Sequence, residues 1–151
     1  MRLQKYIDEN GLNAKILTLN SPTGTVEESV KALNCEPENI IKSIVVVTDT
    51  HDFYLVILQG DRKIKTKKLK RLLSVRDIKL ASPSQVKERT GFEVGDVPPI
   101  GVELPVIMDE LVTNQKILYA GGGAPLKNLS ISIDELLDCT HPLIADISIP
   151  L

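Results

Sequence analysis

Two runs of strand-forming residues, Ile40-Ile41-Lys42-Ser43-Ile44-Val45-Val46-Val47 and Phe53-Tyr54-Leu55-Val56-Ile57-Leu58, flank the polar stretch Thr48-Asp49-Thr50-His51-Asp52. Branched and aromatic side chains fit a pleated surface and crowd the preceding turn of a helix, so both runs read as strands. Joined by so short a polar turn, they predict a central antiparallel hairpin, and the rest of the chain must pack around it. Leu3, Tyr6 and Ile7 at helical spacing, with Gly11 as a stop, predict an opening helix, followed by a strand over 14–19. Thr25 with Glu28 forms a capping box ahead of the stripe Val26, Val30 and Leu33. Gly60-Asp61 is a turn, after which Thr66 is expected to cap a helix burying Leu69, Leu72 and Leu73. Ser82-Pro83 starts another helix that ends at Gly91. Further strands are expected at 106–108, 117–119 and 129–131, a helix at 132–137 and a final strand at 144–149. Helices and strands without regular βαβ alternation favour an α+β domain with a mixed, mostly antiparallel sheet over a doubly wound one.

At 151 residues, 42% of them hydrophobic, the chain fits one globular domain over 1–151, able to bury roughly 70% of its unfolded surface. The N-terminal residues lack the apolar run of a signal peptide, and no stretch approaches the ~18 apolar residues of a membrane span. A cytoplasmic protein with no membrane partner is therefore expected. Cys35 and Cys139 stand far apart and outside any CxxC, His51 and His141 lie in turn-like surroundings, and neither pair suggests a metal site. The net charge of −2 argues against indiscriminate nucleic-acid binding, DNA included. Basic residues nevertheless crowd into one stretch: Arg62, Lys63, Lys65, Lys67, Lys68, Lys70 and Arg71. It reads either as a phosphate-attracting patch or as a solvated helix face. With three Tyr, two Phe and no Trp, a base-stacking platform is not expected, so any RNA contact should be to phosphate and one terminal nucleotide.

Lys42 interrupts an otherwise apolar strand. Either it points to water by alternation, or it lines a cleft and holds a phosphate or ribose oxygen. The segment Gly91-Phe92-Glu93-Val94-Gly95-Asp96-Val97-Pro98-Pro99-Ile100-Gly101 combines prolines that stiffen the backbone with glycines that admit close approach. Such a turn can aim free N–H groups at a carbonyl oxygen, as ester hydrolysis requires, or can simply join a helix to a strand. Gly121-Gly122-Gly123 is open in the same way, as a tight strand exit or a place for a ligand. Nucleotide-binding glycine motifs and a GxSxG elbow are absent, and the histidines show no triad context.

In this succession the chain resembles the YbaK and prolyl-tRNA-synthetase-associated domain family, deacylases that edit mischarged transfer RNA. The elements that carry the likeness are Thr25-Val26-Glu27-Glu28-Ser29 with Leu33, Ile40-Ile41-Lys42-Ser43, Gly60-Asp61, Thr90-Gly91, Gly95-Asp96-Val97-Pro98-Pro99 with Gly101, Asp109, and the glycines at 121–123. The resemblance implies an α+β, barrel-like sheet with surrounding helices, and hydrolysis of the ester between amino acid and terminal ribose without metal or cofactor. Lys42 would stand beside the 3′ acceptor end. Gly95, Asp96, Val97, Pro98, Pro99 and Gly101 would hold the terminal adenosine and the aminoacyl carbonyl, with Gly122 and Asn128 completing the pocket. From charge alone, Lys63, Lys65, Lys67, Lys68, Lys70 and Arg71 would steer the acceptor stem. Alanine on proline transfer RNA is the first expected substrate, then cysteine or serine, with a synthetase as a further partner. The competing readings are a non-catalytic module that binds transfer RNA or a synthetase, and a hydrolase of small acyl esters or amides.

Overall fold

The computed structural model describes residues 2–21 and 23–151. In chain order it contains helix α1 (Arg2–Glu9), strand β1 (Lys15–Thr18), helix α2 (Val26–Leu33), strands β2 (Ile41–Thr48), β3 (Phe53–Gln59) and β4 (Arg62–Ile64), helix α3 (Thr66–Leu73), strand β5 (Ile78–Leu80) and helix α4 (Pro83–Thr90). Strands β6 (Val106–Asp109), β7 (Ile117–Gly121) and β8 (Lys127–Ser132), helix α5 (Ile133–Thr140), and strands β9 (Leu143–Ala145) and β10 (Ser148–Pro150) follow. The hairpin expected at the centre is there: β2 and β3 pair antiparallel from Ile41↔Gln59 to Val47↔Phe53.

That hairpin is the middle of a five-stranded sheet ordered β5-β2-β3-β6-β9, in which β6 lies parallel to β3 and β9 parallel to β6. Strands β1, β8 and β7 form an antiparallel three-stranded sheet, and β10 pairs antiparallel with β4. The architecture is thus α+β, mixed and mostly antiparallel, but the sheets do not close into a barrel. Closure needs continuous pairing around the circumference. Here β7 meets β2 only through a parallel bridge between Ile40 and Tyr119, while β5 covers only Val46–Thr48 of the same edge.

Side chains alternate across β2 and β3 and so serve two cores. Ile41, Val45, Leu55 and Ile57 join Leu118, Leu129 and Leu136 in the larger cluster. Val46, Val56 and Leu58 face the other way and pack with Leu69 of α3 and Ile147. Leu72 and Leu73 are only half-buried there.

Local chemistry accounts for most helix starts. Thr25 Oγ1 accepts from Glu28 N (3.1 Å), and Ser82 with Gln85 forms a complete capping box ahead of Pro83. Three expectations require correction. Thr66 is the first residue of α3 and not its cap; Lys65 precedes the helix, with its N–H held by Ile147 C=O at 2.7 Å, so the entry is set by the distant link between β9 and β10. The stripe Val26, Val30 and Leu33 is half-buried, and Ser29 is the buried residue of α2, because that helix lies at the rim and not over a core. The single final strand is two, β9 and β10, split at Asp146-Ile147, where the Asp109 carboxylate accepts Ile147 N (2.9 Å) and bends the chain from one sheet to another.

Candidate functional site

Between the exposed edge of β2, the loop after α4 and the β7–β8 turn lies a cavity of about 640 Å³. Three segments far apart in sequence build it. The first is β2, contributing Ile41, Lys42, Ser43, Ile44 and Val45; the second is the loop Val94-Gly95-Asp96-Val97; the third runs from Tyr119 to Gly121 and from Ala124 to Asn128. Thr23, Gly24, Thr25, Val26 and Ser29 close one side.

The loop is held from both ends. Thr90 Oγ1 donates to Val86 C=O (2.7 Å) and accepts from Phe92 N (3.1 Å), which turns the chain out of α4 and drops Phe92 into the core. Gly95 adopts φ +91°, a left-handed conformation costly for any residue with a Cβ. Asp96 N–H bonds back to Glu93 C=O (3.0 Å), and Asp96 C=O accepts from Gly123 N (3.0 Å). At Gly121 a Cβ would come within 2.9 Å of Val97 O, so the glycine turn and the loop pack backbone against backbone. Among the described residues, the N–H groups of Gly95 and Val97 have no hydrogen-bond partner, and both residues line the cavity. Donors fixed in this way can hold a carbonyl oxygen as it gains charge.

Lys42 lines the cavity and is half-buried. Burial lowers its pKa from the ordinary lysine value, and the nearby Asp61 carboxylate partly restores it. Burial also pushes the Asp96 carboxyl upward, helped by the neighbouring Glu93. Asn128, on β8 opposite Gly121, is buried on the same wall, with its amide donating to Thr23 Oγ1 at 3.2 Å.

Of the expected substrate contacts, Gly95, Asp96, Val97 and Asn128 are therefore brought together with Lys42, and four others are not. Pro98 and Pro99 are buried behind Val97 and lie off the cavity wall; lacking N–H groups, they can only stiffen the loop. Gly101 packs on the Tyr6 ring, 3.3 Å from where its Cβ would stand, and lines a separate pocket of about 220 Å³. Gly122 backs onto the Lys127–Asn128 peptide, its N–H bonded to Lys127 C=O (3.1 Å), which makes it a hairpin residue. None of Lys63, Lys65, Lys67, Lys68, Lys70 and Arg71 lines the cavity. Lys68 is paired with Asp146 at 2.6 Å, and α3 lies on the sheet face that carries the smaller core.

Sequence comparison decides the family. The model of the aminoacyl-tRNA editing domain matches residues 20–139. This chain belongs to that family. The editing domain is 32% identical over 118 residues to a proline–tRNA ligase of Desulfotalea psychrophila, covering 76% of this chain and 20% of the ligase. It is 33% identical over 119 residues to the proline–tRNA ligase of Brachyspira hyodysenteriae, covering 76% and 21%. The chain thus spans about one fifth of the length of these relatives. A solved structure described as a candidate trans-editing enzyme for prolyl tRNA synthetase superposes with a TM-score of 0.90 at 31% identity, over 98% of this chain and 95% of that one.

Two residues of the editing-domain cavity carry more than their sequence suggests. Gly121, not Gly122, meets the Asp96-Val97 backbone, a distinction invisible in a run of three glycines. Ser43 lines the cavity, and its hydroxyl is buried with no hydrogen-bond partner among the described residues. Its odd place beside Lys42 in an apolar strand was the available signal. Asp109 serves structure, its carboxylate accepting from Leu111 N (3.4 Å) and Ile147 N. No helix among the described residues is long and apolar enough to cross a membrane.

Proposed function

We propose that the chain is one free-standing editing domain that hydrolyses the ester of mischarged transfer RNA in trans, in the cytoplasm. The observation that carries the reading is the meeting, in one cavity, of the Lys42 ammonium with the amides of Gly95 and Val97, which have no partner among the described residues. The amides suit the ester carbonyl, which becomes an oxyanion as water adds, and the lysine suits a phosphate or ribose oxygen of the terminal nucleotide. Holding the ester and ribose in one geometry contributes to the rate on its own, so a side-chain nucleophile is not required. A volume of about 640 Å³ matches a site for an aminoacyl group with part of its nucleoside.

Alanine on proline transfer RNA is the first substrate, with cysteine and serine next. The likeness to part of proline–tRNA ligases supports the transfer RNA, and the same likeness makes a synthetase a candidate partner. The test is deacylation of a panel of mischarged transfer RNAs by the wild type and Lys42→Ala. Release of one amino acid by the wild type, abolished in the variant, is expected. Binding of the panel without release from any member would establish a non-catalytic binding module instead.

A further inference from the structure

The turn that carries β7 into β8 holds a leucine where backbone geometry favours glycine. Lys127 N donates to Ala124 C=O (3.1 Å), closing a four-residue turn in which Pro125 and Leu126 are the central pair. Proline followed by a residue with positive φ is the pattern of a type II turn, whose second central place is normally taken by glycine. Leu126 sits there at φ +63°. A left-handed backbone is costly for a bulky side chain. Its C=O, accepting from Leu19 N at 2.8 Å, holds the residue in place. Burial does not offset the cost, because Leu126 remains 44% exposed. Glycine or asparagine could make the same turn. Strain and exposure on one residue therefore mark a side chain kept for a contact outside the free domain.

Leu126 lines the cavity, and so do Leu80, 65% exposed, and Val94, 58% exposed. The three come from separate segments: β5, the loop after α4 and the β7–β8 turn. Being exposed and on the wall at once, they form an aliphatic rim at the mouth. Lys127 follows on the same wall, its Nζ held by Thr18 Oγ1 at 2.6 Å and paired with no carboxylate among the described residues. An apolar surface beside a fixed cation suits single-stranded nucleic acid, in which flat bases alternate with phosphates. We propose that Leu126 is a binding residue for the nucleotide on the 5′ side of the terminal adenosine: the base of that nucleotide lies against the aliphatic rim, and Lys127 faces the phosphate joining the two. Resting on the deacylase reading of the cavity, this assignment extends the contact one nucleotide beyond the terminal one expected from composition. The cavity, of about 640 Å³, takes the aminoacyl group with part of its nucleoside, so the preceding nucleotide is what crosses the mouth. With only three Tyr and two Phe in the chain, aliphatic side chains pack the base in place of aromatic rings.

The probes are three non-hydrolysable compounds: 3′-(alanylamino)-3′-deoxyadenosine, the dinucleotide made by joining cytidine 3′-phosphate to its 5′ oxygen, and that dinucleotide without the cytosine base. Each is titrated by calorimetry into the wild type, Leu126→Asn and Leu126→Met. Asparagine tolerates the left-handed turn and removes the apolar contact, whereas methionine keeps it. The wild type is expected to bind the dinucleotide about tenfold more tightly than the nucleoside, the lower part of the range for stacking one base. Most of that gain should vanish with the abasic compound. Leu126→Asn should cut the gain to about threefold or less, and Leu126→Met should retain it. An equal gain in Leu126→Asn and the wild type would overturn the assignment, as would a gain kept by the abasic compound, which would leave a phosphate contact alone. The abasic comparison in the wild type holds even where a variant fails to fold. Binding of the nucleoside with no gain from cytidine removes only this inference, while binding of neither compound overturns the nucleotide reading of the cavity with it. Self-association of the wild type that Leu126→Asn abolishes would assign the rim to a second copy of the chain instead.

Discussion

Burial of Lys42 sets its role in the site against its contribution to stability. The folded chain binds this proton less tightly than the unfolded chain, whose lysine has the ordinary pKa of 10.5. The residue therefore detracts from stability at pH values below its folded pKa, and the deficit fades as pH rises through the interval up to 10.5. Lys42→Met keeps most of the volume and removes the charge. Its unfolding temperature at pH 7 is expected to equal or exceed that of the wild type, with any gain shrinking toward alkaline pH, while deacylation is lost. A lower unfolding temperature at pH 7 would mean that the ammonium is a structural partner and not a functional one. The Ser43 hydroxyl, buried with no hydrogen-bond partner among the described residues, is a second such cost.

Among the elements, the loop after α4 and the β7–β8 turn form one unit. Gly123 N holds Asp96 C=O, and the flat face of Gly121 lies against Val97 O. Gly121→Ala places a methyl group 2.9 Å from that oxygen, and neither backbone can yield without moving the loop. The expected cost is about 1–3 kcal/mol of stability, as for other overpacked sites. Deacylation should fall by more than the unfolded fraction explains, because the amides of Gly95 and Val97 move with the loop. Urea denaturation and deacylation on one preparation separate the two effects. Full activity in a destabilised protein would detach the turn from the chemistry. The capping box at Ser82 acts at the same scale, turning the chain into α4 soon after β5 has paired with Val46–Thr48 of β2.

At the scale of the molecule, the two cores lie on opposite faces of the five-stranded sheet, the cavity draws on the larger one, and α3 with its basic residues covers the smaller. A bound acceptor stem would have to pass the sheet edge to touch both. Because Lys68 is engaged by Asp146, neutralising Lys67, Lys70 and Arg71 is the sharper test of the patch. The triple variant should bind every charged transfer RNA more weakly and make the log–log salt dependence shallower by about two to three, one step per lost phosphate contact. An unchanged slope would reduce the cluster to a solvated helix face. Much of this molecule is legible along the chain: the hairpin from its branched residues, the starts of α2 and α4 from Thr25, Ser82 and Pro83, and Lys42 with Gly95 to Val97 as residues that stand out and that meet on one cavity wall. Each depends on groups within a few positions of one another, so local sterics and hydrogen bonding suffice. The entry to α3, the split of the last strand, the unclosed sheets and the choice of Gly121 over Gly122 depend on Ile147, Asp109 and Val97, residues whose proximity only the folded chain creates. Register and backbone contact between distant segments have no local signature, because a one-residue shift leaves the sequence pattern intact while moving every partner.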